Sequence, residues 1–79
     1  MEAIKGKHIL VIGATGGIGS KVVELLKSSG ASLFITGRNK ESLTAVAQRN
    51  GISDDACFTG DLTIAENVAK LKDTFFKKY

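Results

Sequence analysis

An α/β fold is predicted for this 79-residue chain: a three-stranded parallel sheet, order 3-2-1, in a β-α-β-α-β-α sequence. Three observations predict it. Short apolar runs alternate with stretches of helical spacing. The first run, Ile9-Leu10-Val11-Ile12, empties into the glycine-rich segment Gly13-Ala14-Thr15-Gly16-Gly17-Ile18-Gly19. Each stretch between runs is long enough to return the chain across the sheet for a parallel, right-handed connection.

Each element has its own signal. Ile9–Ile12 reads as a strand covered on both faces of a parallel sheet. Ile18, Val22, Leu25 and Leu26 recur at i, i+4, i+7 and i+8, which predicts the inner face of the first helix. Gly30 supplies its left-handed cap. Leu33-Phe34-Ile35 predicts the second strand. Asn39 then caps a helix whose inner face is Leu43, Val46 and Ala47, ending near Gly51. Ala56-Cys57-Phe58 predicts the third strand. Thr63-Ile64-Ala65-Glu66 has the capping-box pattern, in which the threonine hydroxyl takes the Glu66 N–H and the Glu66 carboxylate reaches back. The last helix presents Ile64, Val68, Leu71 and Phe75, and Lys77 and Lys78 suit its negative end. Residues 1–79 thus form one partial domain, half of a doubly wound Rossmann dinucleotide fold. The order leaves Ile9–Ile12 on an open sheet edge.

Composition narrows the function classes. A chain this short buries only about 60% of its unfolded surface, so marginal stability is expected. The net charge is +3, but the eleven basic residues are scattered and only Lys77-Lys78 are adjacent. That distribution argues against a nucleic-acid or membrane footprint. The single cysteine, Cys57, excludes an internal disulfide and lies in an apolar stretch that suits a buried, inert thiol. The first residues carry mixed charge without the apolar core of a targeting peptide, and no apolar run is long enough to span a bilayer. A cytoplasmic, reducing environment is expected.

Three segments converge on one ligand. Gly13 permits a tight turn at the strand end, Gly17 and Gly19 permit close backbone approach, and the amides around Ile18 face a pyrophosphate at the helix N-terminus. Thr15 can add a hydroxyl contact. The second segment is Thr36-Gly37-Arg38-Asn39. An NAD site usually carries an acidic residue here for the ribose 2′-OH, whereas Arg38 offers a planar fork of donors to a 2′-phosphate. NADP(H) is therefore expected over NAD(H). The third segment is Gly60-Asp61-Leu62, where Asp61 can accept from the adenine amino group and Leu62 can pack on the ring. Asp61 can equally serve only the following helix N-terminus. His8, the lone histidine, reads as structural. No Cys/His cluster has metal-ligand spacing, and Ser20-Lys21 after Gly19 does not make a nucleotide-triphosphate loop.

With these residues the chain resembles the short-chain dehydrogenase/reductase family over essentially its whole length. The pattern T-G-x-x-x-G-x-G falls on Gly13, Gly17, Ile18 and Gly19, with Ile12 in place of threonine. The same segment also fits G-x-x-G-x-x-G through Gly13, Gly16 and Gly19, so the branch stays open between classical and extended or atypical members. Gly37-Arg38 is similar to NADP(H)-preferring members, and Asp61-Leu62-Thr63 to the adenine-side segment. The resemblance implies a catalytic serine and a Y-x-x-x-K pair further along. Tyr79 is the only tyrosine and no lysine follows it, so no catalytic residue is expected in this chain. It is expected to be the N-terminal cofactor-binding portion of an NADP(H)-dependent oxidoreductase, inactive alone. The alternative is a non-catalytic NADP(H)-sensing or protein-interaction module. The open first strand predicts self-association, with a homodimer as the simplest closed form.

Overall fold

The computed structural model describes residues 5–79. The chain runs β1 (His8–Val11), α1 (Gly17–Ser28), β2 (Ser32–Gly37), α2 (Lys40–Arg49), a 3-10 turn (Asp54–Ala56), β3 (Cys57–Thr59) and α3 (Ala65–Lys78). The sheet is parallel throughout, with β2 between β1 and β3. The predicted fold class and strand order are both observed. His8 lies opposite Ser32 and Val11 opposite Ile35, while Ile35 lies opposite Cys57 and Gly37 opposite Thr59.

β2 is the middle of the core. Leu33 through Gly37 are buried, with Phe34 and Ile35 fully enclosed. Val23 of α1 and Leu43, Val46 and Ala47 of α2 join them in one cluster, as does Leu71 of α3. Phe75 of α3 meets Phe34 edge-to-face at 5.5 Å between ring centroids. No helix among the described residues is long and apolar enough to cross a membrane.

Both sheet-returning helices end in the same way. Beyond α1, the Gly30 N–H bonds the Lys27 carbonyl and the Ala31 N–H bonds the Leu26 carbonyl. Beyond α2, Gly51 bonds Gln48 and Ile52 bonds Ala47. These paired bonds need a left-handed residue, and Gly30 (φ 88°) and Gly51 (φ 66°) supply it. Asn39 caps α2 as expected, its side chain accepting the Ser42 N–H at 3.0 Å.

Four local expectations are corrected. β1 stops at Val11, and Ile12 is 63% exposed. The third strand begins one residue later than expected, because Ala56 closes the 3-10 turn. The capping box does not form: Ile64 occupies the cap position of α3, and the Thr63 hydroxyl donates to the Asp61 carboxylate at 2.7 Å instead. Glu66 is drawn along its own helix to Lys70, at 3.4 Å.

The fourth correction concerns the rotation of α1. Ile18, Val22 and Leu25 are exposed, and the inner row is Gly19, Val23 and Leu26. A Cβ on Gly19 would collide with the Gly13 carbonyl, so the first turn of α1 lies directly on the glycine turn. That contact fixes which face looks inward. Because the inward residue is a glycine, a pattern built on apolar side chains misses it. On α3 likewise only Leu71 and Phe75 of the expected face pack inward, while Ile64 and Val68 are exposed.

Ser20, Lys21 and Glu24 of α1 face Arg49 and Asn50 across a polar groove toward α2. Ile18, Val22 and Leu25 are exposed on the opposite flank of α1. On α3, Asn67 reaches the Asp61 carbonyl and Lys78 reaches Asp55. Val68 and Phe76 are exposed on α3. Among the described residues β1 pairs only with β2, so the expected open edge is present.

Replacing the inner residue, Val23→Ala, is expected to cost about 2 kcal/mol in urea unfolding at low micromolar concentration, while Ile18→Ala stays within about 0.5 kcal/mol. Gly19→Ala should cost about 1–3 kcal/mol through backbone overlap. Equal losses for Val23→Ala and Ile18→Ala would contradict the observed rotation.

Candidate functional site

All three strands are parallel, so their C-terminal ends, and the loops leaving them, meet at one end of the sheet. A cavity of about 490 Å³ lies there. The β1–α1 turn contributes Ile12, Gly13, Thr15 and Gly16 to its lining. The β2–α2 connection contributes the run from Thr36 to Asn39, and the β3–α3 connection the run from Gly60 to Thr63.

Thr36 organises the first wall. It is buried, at 1% exposure, and receives two bonds from the glycine turn. The Gly13 N–H donates to its hydroxyl at 3.3 Å, and the Ala14 N–H donates to its carbonyl at 2.9 Å. Gly13 sits at φ 75°, a left-handed conformation that side chains disfavour. With the turn pinned, α1 starts at Gly17 with Gly16 as its cap. No side chain caps this end and no acidic residue lies in its first turn. Among the described residues, the amides and positive dipole end of α1 are therefore without a side-chain cap or a first-turn acidic group.

The second wall is crowded at Gly37. A Cβ there would stand 3.0 Å from the Thr15 methyl carbon and 3.4 Å from Leu43. Any side chain at that position, a carboxylate included, would push on Thr15. Arg38 follows, with its side chain 76% exposed.

The third wall meets the second through an ion pair. Arg38 Nη2 donates to Asp61 Oδ2 at 2.8 Å. The other carboxylate oxygen accepts the Thr63 N–H at 2.9 Å and the Thr63 hydroxyl at 2.7 Å. Asn67 Nδ2 holds the Asp61 carbonyl at 3.0 Å. The two Thr63 hydrogen bonds, followed by the Arg38 bond and charge, hold the Asp61 carboxyl below its ordinary pKa. The Gly60 N–H bonds the Gly37 carbonyl at 3.0 Å, which ties the two walls together beyond the end of β3.

Of the residues singled out in the sequence, Gly13, Thr15, Gly16, Arg38, Asp61 and Leu62 line the cavity. Gly17, Ile18 and Gly19 do not. Gly19 is spent on contact with Gly13, and Ile18 is 84% exposed. Sequence reasoning named Thr36 only as part of the second segment and Thr63 as a helix cap and part of the adenine-side segment, and it did not name Asn67. A polar residue closing the apolar run of β2 was the available signal for Thr36. Nothing local marks Asn67, whose role depends on where α3 starts. The two groups set aside as structural lie elsewhere. Cys57 is half-buried, and burial, then the charges of Asp54 and Asp55, push its thiol pKa up. His8 stacks on Tyr79 with ring centroids 4.0 Å apart. The described residues contain no group of side chains arranged to hold a metal ion.

The Asp61 contacts make a pH-dependent contribution of known sign. A carboxyl with a depressed folded pKa stabilises the fold above its unfolded pKa, and this is lost as pH falls through the folded value. An NMR titration of the Asp61 side-chain carbon should show a midpoint below that of an unperturbed aspartate. Thr63→Val should move the midpoint upward, because the first of its causes is removed.

Comparison with known proteins agrees with this architecture. The sequence model for short chain dehydrogenase matches residues 7–79. An uncharacterized oxidoreductase of Staphylococcus epidermidis is 32% identical over 68 residues, covering 86% of this chain and 29% of that protein. One from Staphylococcus aureus is 38% identical over 73 residues, covering 90% and 31% respectively. The chain thus spans under a third of these relatives' length. Among solved structures, a metagenomic short-chain oxidoreductase in complex with NADP superposes with a TM-score of 0.76 at 27% identity, over 87% of this chain and 32% of that one. Glucose dehydrogenase of Caenorhabditis elegans in the apo form gives 0.67 at 26% identity, over 91% and 34%. Sequence and fold agree: this chain belongs to the short-chain dehydrogenase family of oxidoreductases and presents a three-stranded Rossmann-type part of its fold.

Proposed function

We propose that the chain binds the adenosine side of NADP(H) for an oxidoreductase. The observation that carries this reading is the cavity itself, which joins an uncapped helix N-terminus to an arginine fork and crowds any side chain at Gly37 against Thr15. The NADP complex of the similar metagenomic oxidoreductase supports the same cofactor. NADP(H), when bound, supplies the hydride of the reaction. The residues of this chain bind and orient it.

In this reading the pyrophosphate lies against the turn from Gly13 to Gly16, with the amides of Gly17, Ile18 and Gly19 giving the field at the helix start. Gly19 contributes by letting α1 come close to the turn. Thr15 offers its hydroxyl. Arg38 takes the 2′-phosphate, where a guanidinium matches phosphate geometry and a 2′-OH would use little of its charge. Leu62 covers the adenine ring, and the Asp61 carboxylate is available to its amino group.

The uncovered flank supports a second proposal. β1 is an edge strand among the described residues, and Ile18, Val22 and Leu25 of α1 and Val68 and Phe76 of α3 are exposed apolar side chains. Such an edge favours pairing with another polypeptide, and for this chain alone the available partner is a second copy.

Isothermal titration should give 2′-phospho-ADP about tenfold tighter binding than ADP, the size of a charge-assisted pair in a solvated site. Equal affinities would refute the NADP(H) assignment. Arg38→Ala should abolish the preference, whereas Thr36→Val should weaken both ligands alike by loosening the turn. For the second proposal, light scattering at some tens of micromolar (roughly the range where exposed edges associate) should show a dimer that Leu25→Glu shifts toward monomer. A stable wild-type monomer there would refute self-association.

A further inference from the structure

We infer that Asp61 is a specificity-determining residue: by holding the Arg38 guanidinium, it sets how strongly the cavity prefers a 2′-phosphorylated ligand over one with a free 2′-OH. This inference rests on the NADP(H) reading above. It gives Asp61 a role toward the phosphate, distinct from any contact with adenine.

The two partners are held unequally. Asp61 is fixed. One carboxylate oxygen takes two hydrogen bonds from Thr63, and its carbonyl is held by Asn67. Arg38 is not. Its side chain is 76% exposed, and its one side-chain hydrogen bond among the described residues goes to Asp61 Oδ2. The two residues come from different strand ends, so the pair bridges two walls of the cavity. When a ligand arrives, the partner that moves is the arginine.

What can move it is a matter of charge. A 2′-OH is a neutral acceptor, and it does not displace a carboxylate from a guanidinium. A phosphate carries close to two negative charges and can engage the fork through two oxygens. With Asp61 ionised, a 2′-OH ligand gains nothing from Arg38, and a phosphate gains only the difference between its own pairing and that of the carboxylate. The carboxylate stays ionised well below neutral pH, so this restraint persists at physiological pH. Removing the charge should therefore increase discrimination.

The competing effect of Asp61 has the opposite sign. If the main effect of Asp61 were to hold Arg38 ready, its loss would free a long side chain and discrimination would fall. The sign of the change separates the two effects.

The test is isothermal titration of the full chain with ADP and with 2′-phospho-ADP, read as the ratio of their dissociation constants. Both ligands carry adenine, so any adenine contact cancels in the ratio. Asp61→Asn should raise the ratio about fivefold at low salt, the size of releasing the guanidinium from a solvent-exposed ion pair. The gain should shrink as salt is added. In an Arg38→Ala background the same substitution should change the ratio by less than about twofold, because the competition it relieves is gone. Asp61→Ser removes the charge while keeping a hydroxyl that can accept the Thr63 N–H, and it should behave alike if the asparagine disturbs the turn. An unchanged or lower ratio in both variants overturns the inference, as does an equal rise without Arg38. A wild-type chain without 2′-phosphate preference overturns the NADP(H) reading and this inference with it, as does binding of neither ligand. A wild-type preference that Arg38→Ala abolishes and Asp61→Asn does not increase overturns this inference alone.

Discussion

The double attachment of the glycine turn to Thr36 is the constraint on which the site depends. A buried threonine at the end of the central strand accepts two consecutive amides, one on its hydroxyl and one on its carbonyl. A buried N–H left unpaired costs about 1–3 kcal/mol, so the turn has a steep incentive to stay where it is. From that point the rest follows in order. Gly13 is held left-handed, Gly19 is brought onto the Gly13 carbonyl, and α1 is set at one rotation and one distance from the sheet. The direction of the helix N-terminus is thus determined by a hydrogen bond on a neighbouring strand and by the absence of two side chains.

Much of this architecture was legible in the sequence, and the failures have a common physical origin. The strand order, the parallel pairing, the Asn39 cap, the Gly30 cap and the end of α2 near Gly51 follow from chemistry that reads the same in isolation as in the fold. The α1 face did not. Its apolar pattern pointed to Ile18, Val22 and Leu25, but the helix is turned by the contact between Gly19 and Gly13, and a glycine has no hydrophobicity to be counted. The capping box failed for a related reason. Thr63 could have served Glu66, but Asp61, two residues back, is a charged acceptor at closer range. In both cases a contact of higher local energy overrode a pattern that was sound on its own terms. That the Arg38 and Asp61 segments converge was legible, but their ion pair lay beyond the sequence, because it depends on the spacing of two strand ends.

The cavity also shows how a small fold shares its few polar groups. Thr63, Asp61 and Arg38 form one chain of contacts from the start of α3 to the end of β2, with Asn67 bracing it from the next turn. The members differ in exposure, so they differ in function. The threonine and asparagine make the carboxylate rigid, and the carboxylate in turn gives a flexible arginine a preferred position. An apolar base under this network, Phe58 beneath Gly60, leaves no space for a side chain at Gly60, since a Cβ there would come within 2.9 Å of the ring. The loop after β3 can therefore approach the loop after β2 closely enough for the ion pair to form.

The stacking of Tyr79 on His8 has a consequence for direction. The end of α3 is fastened at the start of β1, by that stack, by the tyrosine hydroxyl against Ser32 and by Lys78 on Asp55. Any polypeptide leaving Tyr79 therefore departs from the end of the sheet opposite the cavity. If it followed the free side of β1, it would travel the same way as the three existing strands and arrive at the glycine turn. The clasp thus fixes the C-terminal end of α3 against the starts of β1 and β2, at the end of the sheet away from the cavity.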